Sequence, residues 1–300
     1  MTELDIEAAI ASIDFSDNHK NEAHKPDWWT DDGIRNTWQD GFTARRRVFP
    51  DGQCEVSVVH ERHFLGPANK AKPHAKRGES ENREANDDDA GRRAKKNVRH
   101  RCKTIGADRM VTLTYRENMV DRERALKHWD AFRRRLSKVN HFHYVAVIEE
   151  QERGALHFHV AVHGRQSYAL LRSIWQSVLG KDGEGREMGQ VNVRDPHKFG
   201  FGPKGAHKLA GYIAKYCGKE MNSRDLNQKR YFCSRGIPVP EVQYWRLHGV
   251  TNMLDAVMAA FDAVTGHSLA GIQSWCNNAL GVVYLATEPG FLSDREVCPF

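Results

Sequence analysis

Residues 143–149, HYVAVIE, and 155–162, ALHFHVAV, are two β-prone runs separated only by EQERG. A parallel pair needs a crossover of a dozen or more residues, so a break this short admits only an antiparallel hairpin. If Glu152, Arg153 and Gly154 form a three-residue loop with Gly154 in the left-handed position, Gln151 pairs with Ala155 and Glu149 falls opposite His157. A one-residue change in that loop would exchange Glu149 with Glu150. Around the hairpin, 108–115 reads as a strand. Residues 121–138 read as a helix, with Leu126, Trp129, Phe132 and Leu136 at helical spacing. A helix over 167–179, a strand near 190–194 and a helix over 206–220 follow. The order strand, helix, hairpin, helix, strand, helix defines an α+β fold with a central antiparallel sheet and flanking helices, and it excludes a doubly wound parallel sheet.

Outside this core the reading is coarser. Residues 1–65 form an N-terminal acidic accessory region, with a short amphipathic helix at the start and a hairpin around Pro50-Asp51-Gly52. Residues 66–101 are dense in charge and poor in large apolar side chains, which reads as a flexible linker, with a solvated helix as the alternative. The endonuclease-type core is bounded at 102–235, and 236–300 is expected to be a C-terminal helical extension in which Trp245, Trp275 and Tyr284 pack in a core. No run approaches a membrane span and no secretory leader is legible at the start, so a soluble, cytoplasmic protein is expected, with no membrane partner. Six cysteines without a CxxC pair point to reduced thiols. The first 32 residues carry nine acidic side chains against Lys20 and Lys25, net −7, which leaves +13 on the remainder of a chain whose total is +6. That surplus favours a polyanionic partner.

Side chains alternate along a strand, so His157 and His159 share one face while Leu156, Phe158 and Val160 line the other. In a chain with sixteen histidines an HxH pair alone is weak. With Glu149 opposite, however, two imidazoles and a carboxylate make an open donor set suited to Mg²⁺ or Mn²⁺ acting on a phosphate; zinc usually takes a more closed site. The helix 206–220 carries Tyr212, Lys215, Tyr216 and Lys219 on one face and Leu209, Ile213 and Cys217 on another. The second stripe is a core and the first is not, so the tyrosines face outward or into a cleft. A phenol is a weak nucleophile near neutrality, and neighbouring lysines and a metal-polarised phosphate would supply what it lacks.

These residues resemble the HUH endonucleases, in particular the rolling-circle replication initiators (Rep) of single-stranded DNA phages and plasmids. MVTLTY (110–115), HFHVAV (157–162) with Glu149 eight positions upstream, and YIAKYCGK (212–219) follow that family's motif order, and the paired tyrosines are similar to its phage gene A class. The resemblance spans roughly 102–235. It implies an RRM-like palm and a nickase and strand transferase that attacks single-stranded or hairpin origin DNA through Tyr212 and Tyr216, with Tyr212 slightly favoured to act first because Lys215 stands in the family's lysine position. A 5′-phosphotyrosine and a free 3′ hydroxyl result, and strand joining follows. Lys215 and Lys219 assist, Glu149, His157 and His159 hold Mg²⁺ or Mn²⁺, and the partners are a host helicase and DNA polymerase in the cytoplasm of a bacterial host cell. A host helicase is required because no GxxxxGK[ST] loop occurs. The alternatives are a two-tyrosine transposase of the same chemistry, a non-catalytic origin-binding protein, and a metalloprotein unconnected with DNA.

Overall fold

The computed structural model describes residues 38–64, 76, 79–139, 143–194, 209–215, 228–264 and 272–288. The expected N-terminal helix lies outside them. The chain divides into a split unit, Met1–Pro73 with Pro240–Phe300, and a continuous unit, His74–Val239. Each holds one five-stranded sheet, and every strand pairing in both is antiparallel.

In the split unit, β1 (Trp38–Val48) and β2 (Cys54–Phe64) form the expected hairpin, closed from Val48↔Cys54 with Gly52 at φ 79° in the turn. The region 236–300 departs from the helical expectation. It contributes one helix, α4 (Met253–Asp262), and three strands, β8 (Gln243–Leu247), β9 (Gln273–Asn277) and β10 (Val282–Ala286). The strands flank the hairpin in the order β8-β1-β2-β10-β9. Phe42, Ala44, Val56, Val58, Val283 and Leu285 face α4 and form one core with its Ala256, Val257, Ala260 and Phe261. On the other face one cross-strand row runs Tyr244, Arg45, Ser57, Tyr284, Trp275. Tyr244 is 74 % exposed and Trp275 51 %, which corrects the expectation that the aromatic side chains of this region pack in a core. A sheet covered by a helix on one face is free to present polar and aromatic residues on the other.

The continuous unit has the sheet order β6-β3-β5-β4-β7, from β3 (Arg109–Tyr115), β4 (Tyr144–Glu150), β5 (Leu156–Val162), β6 (Gly189–Arg194) and the short edge strand β7 (Phe232–Cys233). Its first face is covered by α2 (Arg122–Val139) and α3 (Tyr168–Leu179). The side chain of Ser167 caps the start of α3 by accepting from the Leu170 N–H. Trp129 of α2 stacks on Phe158 with centroids 5.3 Å apart, and the buried Trp175 indole of α3 donates to the Thr114 carbonyl at 2.9 Å.

The second face is covered by α1 (Arg83–Thr104) and the helical segment 209–215. This helix corrects the linker reading of 66–101. Its buried seam is made of small residues, Gly91, Ala94, Val98 and Cys102, which a search for large apolar side chains passes over. The last three of them share a core with Val145 and Val147. Acidic residues crowd the beginning of the helix and basic ones its end, complementing the helix dipole.

The close fit of α3 to β6 rests on Gly189. A Cβ there would stand 2.7 Å from Cδ1 and Nε1 of Trp175 and 2.5 Å from Cδ1 of Leu179. Gly189→Ala is therefore expected to destabilise the continuous unit by about 1–3 kcal/mol through overpacking. A lowered urea midpoint at unchanged slope would show it, and an unchanged midpoint would refute it.

Candidate active site

The β4–β5 turn forms in the register its loop residues predict. Gly154 sits at φ 79°, its N–H donates to the Gln151 carbonyl at 2.7 Å, and Gln151 N–H donates to the Ala155 carbonyl at 2.9 Å. Counting back, Glu149 pairs with His157 and Glu150 with Leu156. Leu156, Phe158, Val160 and Val162 point into the α2–α3 core, so His157 and His159 emerge on the second face with Glu149, and Glu150 turns to the first face with Leu156.

On that second face the Glu149 carboxylate reaches diagonally to His159, with Oε2 2.6 Å from Nε2. The other ring nitrogen, Nδ1, lies 3.2 Å from the hydroxyl of Thr112, its cross-strand partner on β3. In one neutral tautomer Nε2–H donates to Glu149 and the Thr112 hydroxyl donates to Nδ1. In the other, Nδ1–H donates to the Thr112 oxygen and the Nε2 lone pair is released. The hydroxyl orients the ring in both, the usual duty of a group behind a ligating histidine. Burial pushes the pKa of both imidazoles below the ordinary histidine value, outweighing the raising effect of Glu149; at His157 the neighbouring His159 adds to the lowering. The neutral ring is the form that ligates a cation.

These groups line an open cleft of about 610 Å³, whose floor is the second face of β3, β4, β5 and β6. Tyr212 lines the same cleft. The helical segment carrying it is anchored by buried Leu209, Ala210, Ile213 and Ala214, the apolar stripe expected from the sequence. Lys215 is exposed and does not line the cleft. Tyr216 and Lys219 lie outside the described residues. Thr112, Thr114, Gln190, Asn192 and Arg194 also line it and were missed by reading motifs alone. The signal was the alternation in GQVNVR, where Val191 and Val193 pack into the core and Gln190, Asn192 and Arg194 are exposed.

The donor set fits Mg²⁺ or Mn²⁺ in type, with neutral nitrogens and a carboxylate on one open face. Among the described residues, no three His, Cys, Asp or Glu side chains are already disposed around a common cation position. In this conformation the carboxylate is engaged by His159.

Residues 108–221, from the start of β3 to beyond the Tyr212 segment, match the family described as Replication-associated protein ORF2/gene 2 protein. The match covers less than half of the chain and supports a replication-initiator role. No curated protein and no solved structure matches the chain. Among the described residues, no helix is long and apolar enough to cross a membrane.

Proposed function

We propose that the chain is a rolling-circle replication initiator of the HUH type, which nicks single-stranded origin DNA and rejoins it through tyrosine. The observation that carries this reading is that Tyr212 lines one cleft with Glu149, His157 and His159. In the cleavage step the Tyr212 oxygen forms a bond to phosphorus and the bond from phosphorus to the 3′ oxygen breaks. The phenol proton ends, directly or through solvent, on the released 3′ hydroxyl. A 5′-phosphotyrosine conserves the energy of the broken linkage for the later joining step. Glu149, His157 and His159 are the residues to hold Mg²⁺ or Mn²⁺, which when bound supplies Lewis-acid polarisation of the scissile phosphate. Thr112 fixes the His159 ring, and Asn192, Gln190 and Arg194 offer donors to the strand lying in the cleft. Tyr216, four residues on from Tyr212, is the partner nucleophile for rejoining, as in the two-tyrosine class. The free 3′ end primes a host polymerase, with a host helicase opening the duplex.

The test is a denaturing gel of the full chain after incubation with Mn²⁺ or Mg²⁺ and end-labelled single-stranded oligonucleotides. These should tile the DNA molecule that encodes the chain. A covalent adduct carrying the label of the 3′-side fragment, with phosphate on Tyr212 or Tyr216 in the attached peptide, is the expected result. Tight origin binding with no adduct on any tile would leave the non-catalytic binder in its place.

A further inference from the structure

The continuous unit has a second, larger concavity on the first face of its sheet, the face away from the cleft. It is an open groove of about 1730 Å³, walled on one side by α2 and on the other by residues 228–235. The second wall is fixed to the sheet edge. Ser234 Oγ accepts from the Tyr144 N–H at 3.1 Å, the Ser234 N–H donates to the Tyr144 carbonyl at 3.1 Å, and Arg230 is paired with Asp87 of α1.

Cations dominate both walls. Arg122, Lys127, Arg133 and Arg134 come from α2, and Lys229, Arg230 and Arg235 from the facing segment. Only Glu123 and Asp130 oppose them among the described lining residues. Glu123 lies 2.8 Å from Lys127, and Asp130 is shared between Arg133 and Arg134. Arg135, the next residue, is not part of the groove and instead bonds Ser177 of α3 at 2.7 Å. Along the helix axis the wall from Arg122 to Ser137 extends about 22 Å at 1.5 Å per residue. That is the span of roughly six successive phosphates of one strand at 3.4 Å each. A small anion would need its cations converged on one point. Spread along two facing walls, they match a repeating charge.

We propose that this groove is a second DNA site, which holds the phosphate backbone of the strand or duplex flanking the nick by sequence-independent contacts. The proposal rests on reading the chain as a DNA-handling protein and is independent of whether it cleaves. Short DNA is then held by the cleft alone, and longer DNA by cleft and groove together.

The test compares Lys127→Gln/Lys229→Gln/Arg235→Gln with a control of equal charge loss on the α3 side, Arg165→Gln/Arg172→Gln/Lys181→Gln. All six side chains are exposed. Both triples are built in the Tyr212→Phe chain, and binding is followed by fluorescence anisotropy from 50 to 300 mM salt. The probes are a 12-nucleotide strand, a 40-nucleotide strand and a 40-base-pair duplex. With three phosphate contacts removed, the groove triple should bind the preferred 40-mer at least about tenfold more weakly. Its salt slope should be shallower by about 2 for a single strand or nearly 3 for duplex, which tells the two substrates apart. Its 12-mer affinity and thermal unfolding midpoint should match those of the parent. Equal losses on the 12-mer and both 40-mers, or the same loss in the control triple, would overturn the groove assignment while leaving the cleft reading intact.

Discussion

Tyr212→Phe is expected to lower the first-turnover rate of origin cleavage by about 10³-fold or more, the scale on which removal of a nucleophile acts. The substitution deletes one oxygen and keeps the ring that closes one side of the cleft, so the fold and single-strand affinity should be unchanged. Tyr212 is half-buried on a segment whose Leu209 and Ile213 are fixed in the core, which places its ring by packing and not by loop flexibility. Any activity that survives should transfer the phosphate to Tyr216 and vanish in Tyr212→Phe/Tyr216→Phe. Rapid-quench assays with mass spectrometry of the DNA-linked peptide give both readings. Wild-type cleavage by the double variant would end the assignment of a tyrosine nucleophile.

Glu149→Gln should lower cleavage on the order of 100-fold at fixed metal concentration, with part of the loss recovered at high Mn²⁺. Gln is nearly isosteric and keeps a hydrogen bond to His159, so the change tests the carboxylate charge and not the packing. The neighbouring substitution Glu150→Gln should stay within about twofold, since that side chain is exposed and turned to the opposite face. The pair of variants tests the register itself. Had the turn held one residue more or fewer, the two effects would exchange places. Equal, small effects at both positions would remove the metal-assisted reading of the cleft.

Much of this cleft was legible before any coordinates, because its determinants are local. Gly154 fixes the loop, the loop fixes the pairing, and alternation fixes which face receives His157, His159 and Glu149. The apolar stripe of Leu209 and Ile213 likewise decided the orientation of Tyr212. Thr112 and Asn192 were not legible as cleft residues, since their place depends on β3 lying between β5 and β6, a pairing of strands distant in sequence. The same limit explains the C-terminal region. VVYLA reads equally well as a buried helix turn or a strand until β2 supplies its neighbour. The helix α1 escaped for another reason. Its contact surface is small side chains, whose contribution is closeness of approach and not area.

The split unit carries a consequence for biosynthesis. Its first hairpin leaves the ribosome with both outer edges unclaimed, because β8 and β10 are encoded far downstream. With roughly two hundred residues still to be added between β2 and β10 at about 5–20 per second, the hairpin waits on the order of ten to forty seconds for its partners. The continuous unit, by contrast, has all its described strands within one uninterrupted stretch, so it is complete well before translation reaches β10. During that interval the run Arg45, Arg46, Arg47 on β1, with Glu61 and Arg62 on β2, stands guard: charged side chains on an open edge discourage its capture by another nascent chain.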